Sequence, residues 1–172
     1  MYLVHSLVVL CFVSGLTVVA PGPAQRRPAG SVPQEATVSA AIALKVGGMD
    51  YQFSGQAVCE HLSSGGIYDI PAERWSVRHS ESARDLSLTV WRPQSGGGDM
   101  VTLAVDIGGK RHDVNTVKAP KAPSTTGSAT VKFAPEGKGG TFTLNATAGS
   151  GAAVTGTIKC AAFTTPAAVA GH

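Results

Sequence analysis

Hydrophobic and polar residues alternate along most of the chain from residue 38 onward. The clearest run is residues 38–46, in which every second residue is apolar: Val38, Ala40, Ile42, Leu44 and Val46. A period of two places one set of side chains on the core face of a strand and the other set toward water. This run therefore predicts a β-strand with one buried face.

The same alternation recurs in segments bounded by glycine, proline and other turn residues. It predicts inward positions within residues 51–59, 75–77, 86–90, 101–107, 129–133, 142–146 and 154–160, and it places His79 on an outward face. Residues 110–118 predict an edge strand, and residues 60–71 predict a loop. We expect an all-β fold of about 8–9 short strands, arranged as an antiparallel β-sandwich or a partly open barrel.

An uncharged apolar run at residues 7–20 precedes the first predicted strand. It is shorter than the ~20 residues that span a bilayer and suits the apolar core of a signal peptide. Small residues at Gly22 and Ala24 favour cleavage after Ala24, although residues 1–6 lack Lys and Arg and two arginines follow the run. We predict a signal peptide at 1–24, a secreted or periplasmic/cell-envelope location, and no stable membrane span after cleavage.

The remaining chain divides by composition. Residues 25–37 contain proline, alanine and arginine without periodicity and predict a flexible leader, residues 38–163 form the β-domain, and residues 164–172 predict a disordered tail. The formal net charge is +3, and most basic residues are scattered singly. Because nucleic-acid binding requires a basic stripe, the charge pattern argues against a nucleic-acid partner.

Three cysteines are present, and the predicted cleavage removes Cys11 with the signal peptide. Leu10 precedes Cys11 where a lipoprotein signal requires a small residue, so Cys11 is interpreted as part of the apolar run. Cys59 and Cys160 are then the one possible intramolecular pair, and we predict a disulfide between them. Two free buried thiols or a redox pair are the alternatives, and the second lacks Cys-x-x-Cys spacing.

Candidate chemistry is sparse. The possible metal-binding or acid–base residues do not have ligand spacing and are interpreted as solvated loop residues: Glu60, His61, Asp69, His79, Glu81, His112 and Asp113. We therefore expect no metal, cofactor or catalytic residue. The Gly-Ser-Gly of residues 149–151 and the glycines of 96–98 predict turns rather than a nucleophile or a phosphate loop.

Two aromatic residues stand apart from the predicted core. Tyr68 falls in the predicted loop and Trp91 at the end of a strand, where a ring can contact a ligand or partner. Asn145 lies on an outward strand position within the N-glycosylation pattern Asn145-Ala146-Thr147, which matters in a eukaryotic source. Tyr68 and Trp91 are the predicted ligand contacts.

The segments around the two cysteines carry a resemblance. Residues 46–59, VGGMDYQFSGQAVC, and residues 154–160, VTGTIKC, resemble the mycobacterial 19-kDa lipoprotein antigen family. That family pairs a cysteine of an early strand with one of the final strand. The resemblance implies a β-rich cell-envelope protein that binds or presents ligands without a catalytic centre, although Leu10 departs from the family's lipidation sequence.

From these observations we expect an exported, non-catalytic module that binds an unknown protein, glycan or lipid ligand. One alternative is a small-molecule or lipid carrier with an apolar cavity between its sheets, which a filled interior would disfavour. The other is a hydrolase, which a solvent-open cleft with a histidine within ~3 Å of a carboxylate would favour.

Overall fold

The computed structural model describes residues 35–166, and within that range it contains nine strands and no helix. The strands are β1 Val38–Val46, β2 Met49–Ile67, β3 Ile70–Glu81, β4 Arg84–Pro93, β5 Met100–Ile107, β6 Lys110–Asn115, β7 Ser128–Glu136, β8 Gly139–Thr147 and β9 Ala153–Cys160. The predicted all-β class is confirmed. The predicted signal peptide, most of the leader and most of the tail lie outside the described residues.

All nine strands belong to one sheet in the order β6-β5-β4-β3-β2-β1-β9-β8-β7, and every neighbouring pair is antiparallel. The sheet curls into a nearly closed barrel. Of the two predicted architectures, the partly open barrel is therefore the one that describes the fold. In residues 35–166 no helix has the length and apolarity needed to cross a membrane.

The barrel is not fully closed, because its edge strands β6 and β7 are not paired with each other. Alternating directions around nine strands leave the edge strands β6 and β7 running the same way, and parallel neighbours need a long crossover connection. Residues 116–127 form this crossover. Isolated hydrogen bonds hold the seam: Gly149 N donates to Asp113 O at 3.0 Å, and the backbones of Asn115 and Thr126 bond reciprocally at 2.7 Å.

Strand β2 is long because it changes its pairing partner. Residues 49–57 pair with β1, and residues 58–67 pair with β3. The predicted loop at residues 60–71 is therefore wrong, since these residues extend β2, turn at Tyr68-Asp69 and begin β3. A Cβ atom on Gly65 would lie 2.9 Å from the Leu62 side chain, beside the register shift between these residues. Gly65 marks a bulge rather than a loop.

Side chains fill the barrel from the inner faces of the strands. The largest fully buried ones are Tyr51, Phe142, Ile42, Leu44, Leu88 and Leu103. His79 is also buried, so its predicted outward orientation is wrong. Trp75, Val77 and His79 share one phase of the period-2 pattern, and that phase faces inward.

The predicted disulfide between Cys59 and Cys160 is confirmed, with the two Cα atoms 6.3 Å apart. Cys59 lies just beyond the point where β2 leaves β1. The chain after β9 takes the vacated position, because Thr164 N donates to Cys59 O and His61 N donates to Thr164 O, both at 2.9 Å. Backbone pairing thus continues into the segment that was predicted as a disordered tail from residue 164.

Loss of this disulfide is expected to destabilise the domain strongly. The bond joins residues separated by 101 positions, and a loop of that size restricts the unfolded chain. We expect Cys59→Ala/Cys160→Ala to lower the free energy of unfolding by about 2–5 kcal/mol. Urea denaturation with and without reductant measures this loss, and reductant should have no effect on the double variant.

Candidate functional site

Tyr68 and Trp91 line the same surface groove, which we call the aromatic groove. Its lining is Ile67, Tyr68, Trp91, Thr102, Asn115, Val117 and Pro123, and its volume is about 330 Å³.

 A separate concavity of 410 Å³ lies on the outer face of β3 to β6, beside Arg78 and Arg111. The aromatic groove of 330 Å³ lies between the β2–β3 turn and the crossover of residues 116–127.

The β2–β3 turn holds Tyr68 in a strained backbone conformation. Tyr68 and Asp69 have φ values of 47° and 68°, and they are the only non-glycine residues with positive φ in the described part of the chain. A two-residue hairpin turn with positive φ at both positions normally contains Asn-Gly or Asp-Gly. The side chain of Tyr68 is also 39% exposed, and it is the one exposed large hydrophobic residue among residues 35–166.

Trp91 reaches the groove from the outer face of β4. Its cross-strand partners are Arg74 on β3 and Met100 on β5. The crossover forms the opposite wall through Val117 and Pro123. An ion pair of 3.0 Å between Lys121 Nζ and Asp69 Oδ2 connects the crossover to the β2–β3 turn. The sequence predicted both rings as contact candidates, and the fold brings them to one groove.

His79 occupies the barrel interior and not a solvated loop. Its Nδ1 atom lies 2.7 Å from the Tyr51 hydroxyl, and its ring stacks on Phe53 with centroids 3.6 Å apart. Burial lowers the pKa of His79, and burial, with smaller contributions from Glu81 and Asp85, raises the pKa of Tyr51 to about 12. The tautomer of the imidazole decides which of the two atoms donates in this buried hydrogen bond.

His112 is likewise buried, on the inner face of β6, which corrects its interpretation as a loop residue. Its Nδ1 atom lies 3.4 Å from Ser150 Oγ, in the β8–β9 turn. Its Nε2 atom has no hydrogen-bond partner among residues 35–166. Ser150 thus contributes to closing the barrel seam, in agreement with its prediction as a turn residue.

A histidine within ~3 Å of a carboxylate was expected to favour a hydrolase. Among residues 35–166, His61 meets this distance criterion. His61 Nε2 and Glu73 Oε1 are 2.7 Å apart, and both side chains are about one-third exposed. The imidazole stacks on Trp75 with centroids 5.1 Å apart. Within residues 35–166 no hydroxyl or thiol hydrogen-bonds to this imidazole, so the pair has a base and an orienting carboxylate but no bound nucleophile.

The other candidate acids are engaged in ion pairs and hydrogen bonds. Glu60 accepts from Ser76 at 3.1 Å, and Asp113 accepts from Arg111 at 2.9 Å. Glu81 is the exception, because its Oε1 atom lies 3.7 Å from His79 Nε2, beyond hydrogen-bond distance. In the part of the chain that the structure describes, no three His, Cys, Asp or Glu side chains are grouped to hold a metal ion.

Comparisons with protein-family models, with curated proteins and with solved structures return no match to this chain. The resemblance to the mycobacterial 19-kDa lipoprotein antigen family stays a prediction.

Replacement of the strained turn is expected to stabilise the domain. Tyr68→Asn/Asp69→Gly installs the residue pair that suits positive φ at both turn positions. The left-handed backbone conformation costs a non-glycine residue about 1 kcal/mol of conformational free energy. We therefore expect the free energy of unfolding to rise by about that amount. Urea denaturation provides the measurement. An unchanged or lower stability would show that the Tyr68 side chain compensates for the strain.

The buried His79 is expected to make stability depend on pH. Its pKa in the folded protein lies below the unfolded value of about 6.5, so the unfolded chain binds the proton more readily. The free energy of unfolding should be greatest above that value and should fall as the pH decreases through it toward the folded pKa. Denaturation between pH 7.5 and pH 5.5 tests this, with both limits chosen above the roughly pH 4 range of carboxylates.

The matched control for this pH dependence is the pair His79→Gln and His61→Gln. The first variant removes the buried imidazole, and the second removes a partly exposed one that contacts Glu73. We expect the decrease in stability toward acid pH to be reduced in His79→Gln and retained in His61→Gln. Equal profiles for the wild type and His79→Gln would contradict the assignment.

Proposed function

We propose that this chain is an exported, non-catalytic binding module whose ligand site is the aromatic groove. The observation that carries the proposal is the exposed ring of Tyr68 on a strained turn, facing the same groove as Trp91. Strained backbone conformations are concentrated at functional sites, where the geometry they impose is used. The disulfide and the apolar run at residues 7–20 support export to an oxidising compartment.

A surface groove accounts for binding better than an internal cavity does. The inner faces of the strands form one cluster of buried side chains, among them Tyr51, Leu103 and Phe142. A carrier of lipids or small molecules would need that volume for its cargo. We therefore favour a ligand on the outer surface over the carrier alternative.

The lining of the aromatic groove favours a glycan ligand. Tyr68 and Trp91 offer apolar ring faces, while the Thr102 hydroxyl and the Asn115 amide offer hydrogen bonds. None of the lining side chains carries a charge. Sugar rings present the matching combination of apolar C–H faces and hydroxyl groups, so the proposed ligand is an extracellular or cell-envelope glycan.

The hydrolase remains a second candidate because of the 2.7 Å contact between His61 and Glu73. An imidazole oriented by a carboxylate is the arrangement that general-base catalysis uses. It would have to activate water directly, since no hydroxyl or thiol of residues 35–166 is hydrogen-bonded to His61. This candidate is supported by one contact, whereas the binding module is supported by both the turn strain and the groove.

The test uses tryptophan fluorescence, because the chain has two tryptophans and Trp91 lies in the groove. The variant Trp75→Phe leaves Trp91 as the sole source of tryptophan emission. We expect neutral oligosaccharides of about six sugar units to change this emission saturably. Tyr68→Ala should weaken the response about tenfold, equivalent to ~1.4 kcal/mol of binding free energy.

Two threonines provide a matched control. Thr89 and Thr102 are cross-strand partners on β4 and β5, but only Thr102 lines the groove. Thr102→Ala is expected to weaken oligosaccharide binding, and Thr89→Ala is expected to leave it unchanged. No saturable response to any oligosaccharide would reject the glycan, and a response to hexaproline or a short-chain phospholipid instead would identify a protein or lipid ligand.

A further inference from the structure

A second groove adjoins the aromatic groove at the end of the barrel that carries the β4–β5 loop. Its volume is about 440 Å³, and we call it the glycine-loop groove. The residues of its lining that matter here are Ser95, Gly96, Gly98, Asp99, Thr116 and Lys118. This lining combines these residues with the apolar Ile70, Pro93, Met100 and Ala129 and contains a cation, whereas the lining of the aromatic groove is uncharged.

The start of the crossover separates the two grooves. Asn115 and Val117 line the aromatic groove, and Thr116 and Lys118 line the glycine-loop groove. Alternate residues of an extended segment point to opposite sides. One extended segment therefore supplies side chains to both grooves, so that Lys118 lies on the opposite side from Val117.

The three consecutive glycines leave the backbone of the β4–β5 loop accessible. Gly96 and Gly97 have φ values of 83° and 103°, and a Cβ atom at any of residues 96–98 would meet nothing within 4 Å. Gly96 N donates to Pro93 O at 3.2 Å, which closes the turn. The amides of Gly97 and Gly98 have no acceptor among residues 35–166. They are free to donate to a ligand.

Lys118 is the one cationic residue in the lining of the glycine-loop groove. In the described residues no carboxylate oxygen lies within 4.0 Å of its ammonium group, unlike Lys121 and Lys159, which form ion pairs. Asp99 is the one carboxylate of the lining, and Arg92 binds it through two hydrogen bonds of 3.0 and 3.1 Å. The charge of Asp99 is thus balanced, and that of Lys118 is not.

We infer that the glycine-loop groove is a binding site for an oxyanion, either a carboxylate or a phosphate group of a ligand. The Lys118 ammonium supplies the opposite charge, and the Ser95 hydroxyl and the Gly98 amide supply hydrogen bonds to the oxygens. Backbone amides of glycine-rich loops and a lysine ammonium bind oxyanions in this manner. The inference depends only on this groove and holds whether or not the aromatic groove binds a glycan.

The experiment titrates the full exported chain with two probes, inorganic phosphate and acetate, while amide signals are followed by NMR. Sodium chloride at matched ionic strength is the control for screening. We expect saturable shifts at Ser95, Gly97 and Gly98 with at least one probe and none with chloride. Saturation by phosphate alone identifies a phosphate-bearing ligand, and saturation by acetate alone identifies a carboxylate.

Two lysine variants separate a built site from general attraction to a basic protein. Lys118→Met removes the cation of the groove, and Lys132→Met removes an exposed lysine of β7 that lies outside the lining. We expect Lys118→Met to weaken binding about tenfold, since charge-assisted hydrogen bonds are among the stronger ones, and Lys132→Met to leave it unchanged. Equal weakening by both variants, or shifts that chloride reproduces, would overturn the inference.

Discussion

The change of pairing partner within β2 is the constraint on which the rest of the fold depends. The strand pairs with β1 as far as Ala57 and with β3 from Val58, so one segment joins the two halves of the sheet. Beyond this point β2 no longer pairs with β1, and the backbone of Thr164 forms hydrogen bonds to β2 in its place. The disulfide fixes the arrangement because it links Cys59, just past the change, to Cys160, where β9 ends and the chain turns toward Thr164.

On the opposite side of the described barrel, the edge strands β6 and β7 are not paired with each other, and the crossover that joins them contributes to both grooves. A closed barrel removes free edges, but nine alternating strands leave β6 and β7 parallel to each other. Their connection must cross over, and residues 116–127 do so on the way to β7. The walls of both grooves come from this crossover. The position of both grooves therefore depends on the path of this crossover.

Local patterns predicted the fold class and most strands, because a period of two is visible in short segments, and the cysteine count predicted the disulfide. Residues 60–71 were wrongly predicted as a loop, since Gly65 and Gly66 mark either a loop or a bulge and only the partner strand decides between them. Tyr68 and Trp91 could be identified one at a time as rings at a turn and a strand end. Their shared groove could not, because its wall comes from residues distant in sequence.

Tyr68 and His79 are both energetically unfavourable at their positions, but for different reasons. Different contacts can offset the two costs. His79 is a polar group in the core, and the Tyr51 hydroxyl satisfies its Nδ1 atom, so its explanation lies within the fold. Tyr68 occupies a backbone conformation that disfavours it, and its hydroxyl forms no hydrogen bond with residues 35–166. When a residue has an unfavourable backbone conformation and no contact within the domain offsets the cost, an interaction outside the domain is the expected reason for keeping it. We propose that this benefit is contact with a ligand, which is why the turn, rather than the core histidine, is the proposed location of the binding site.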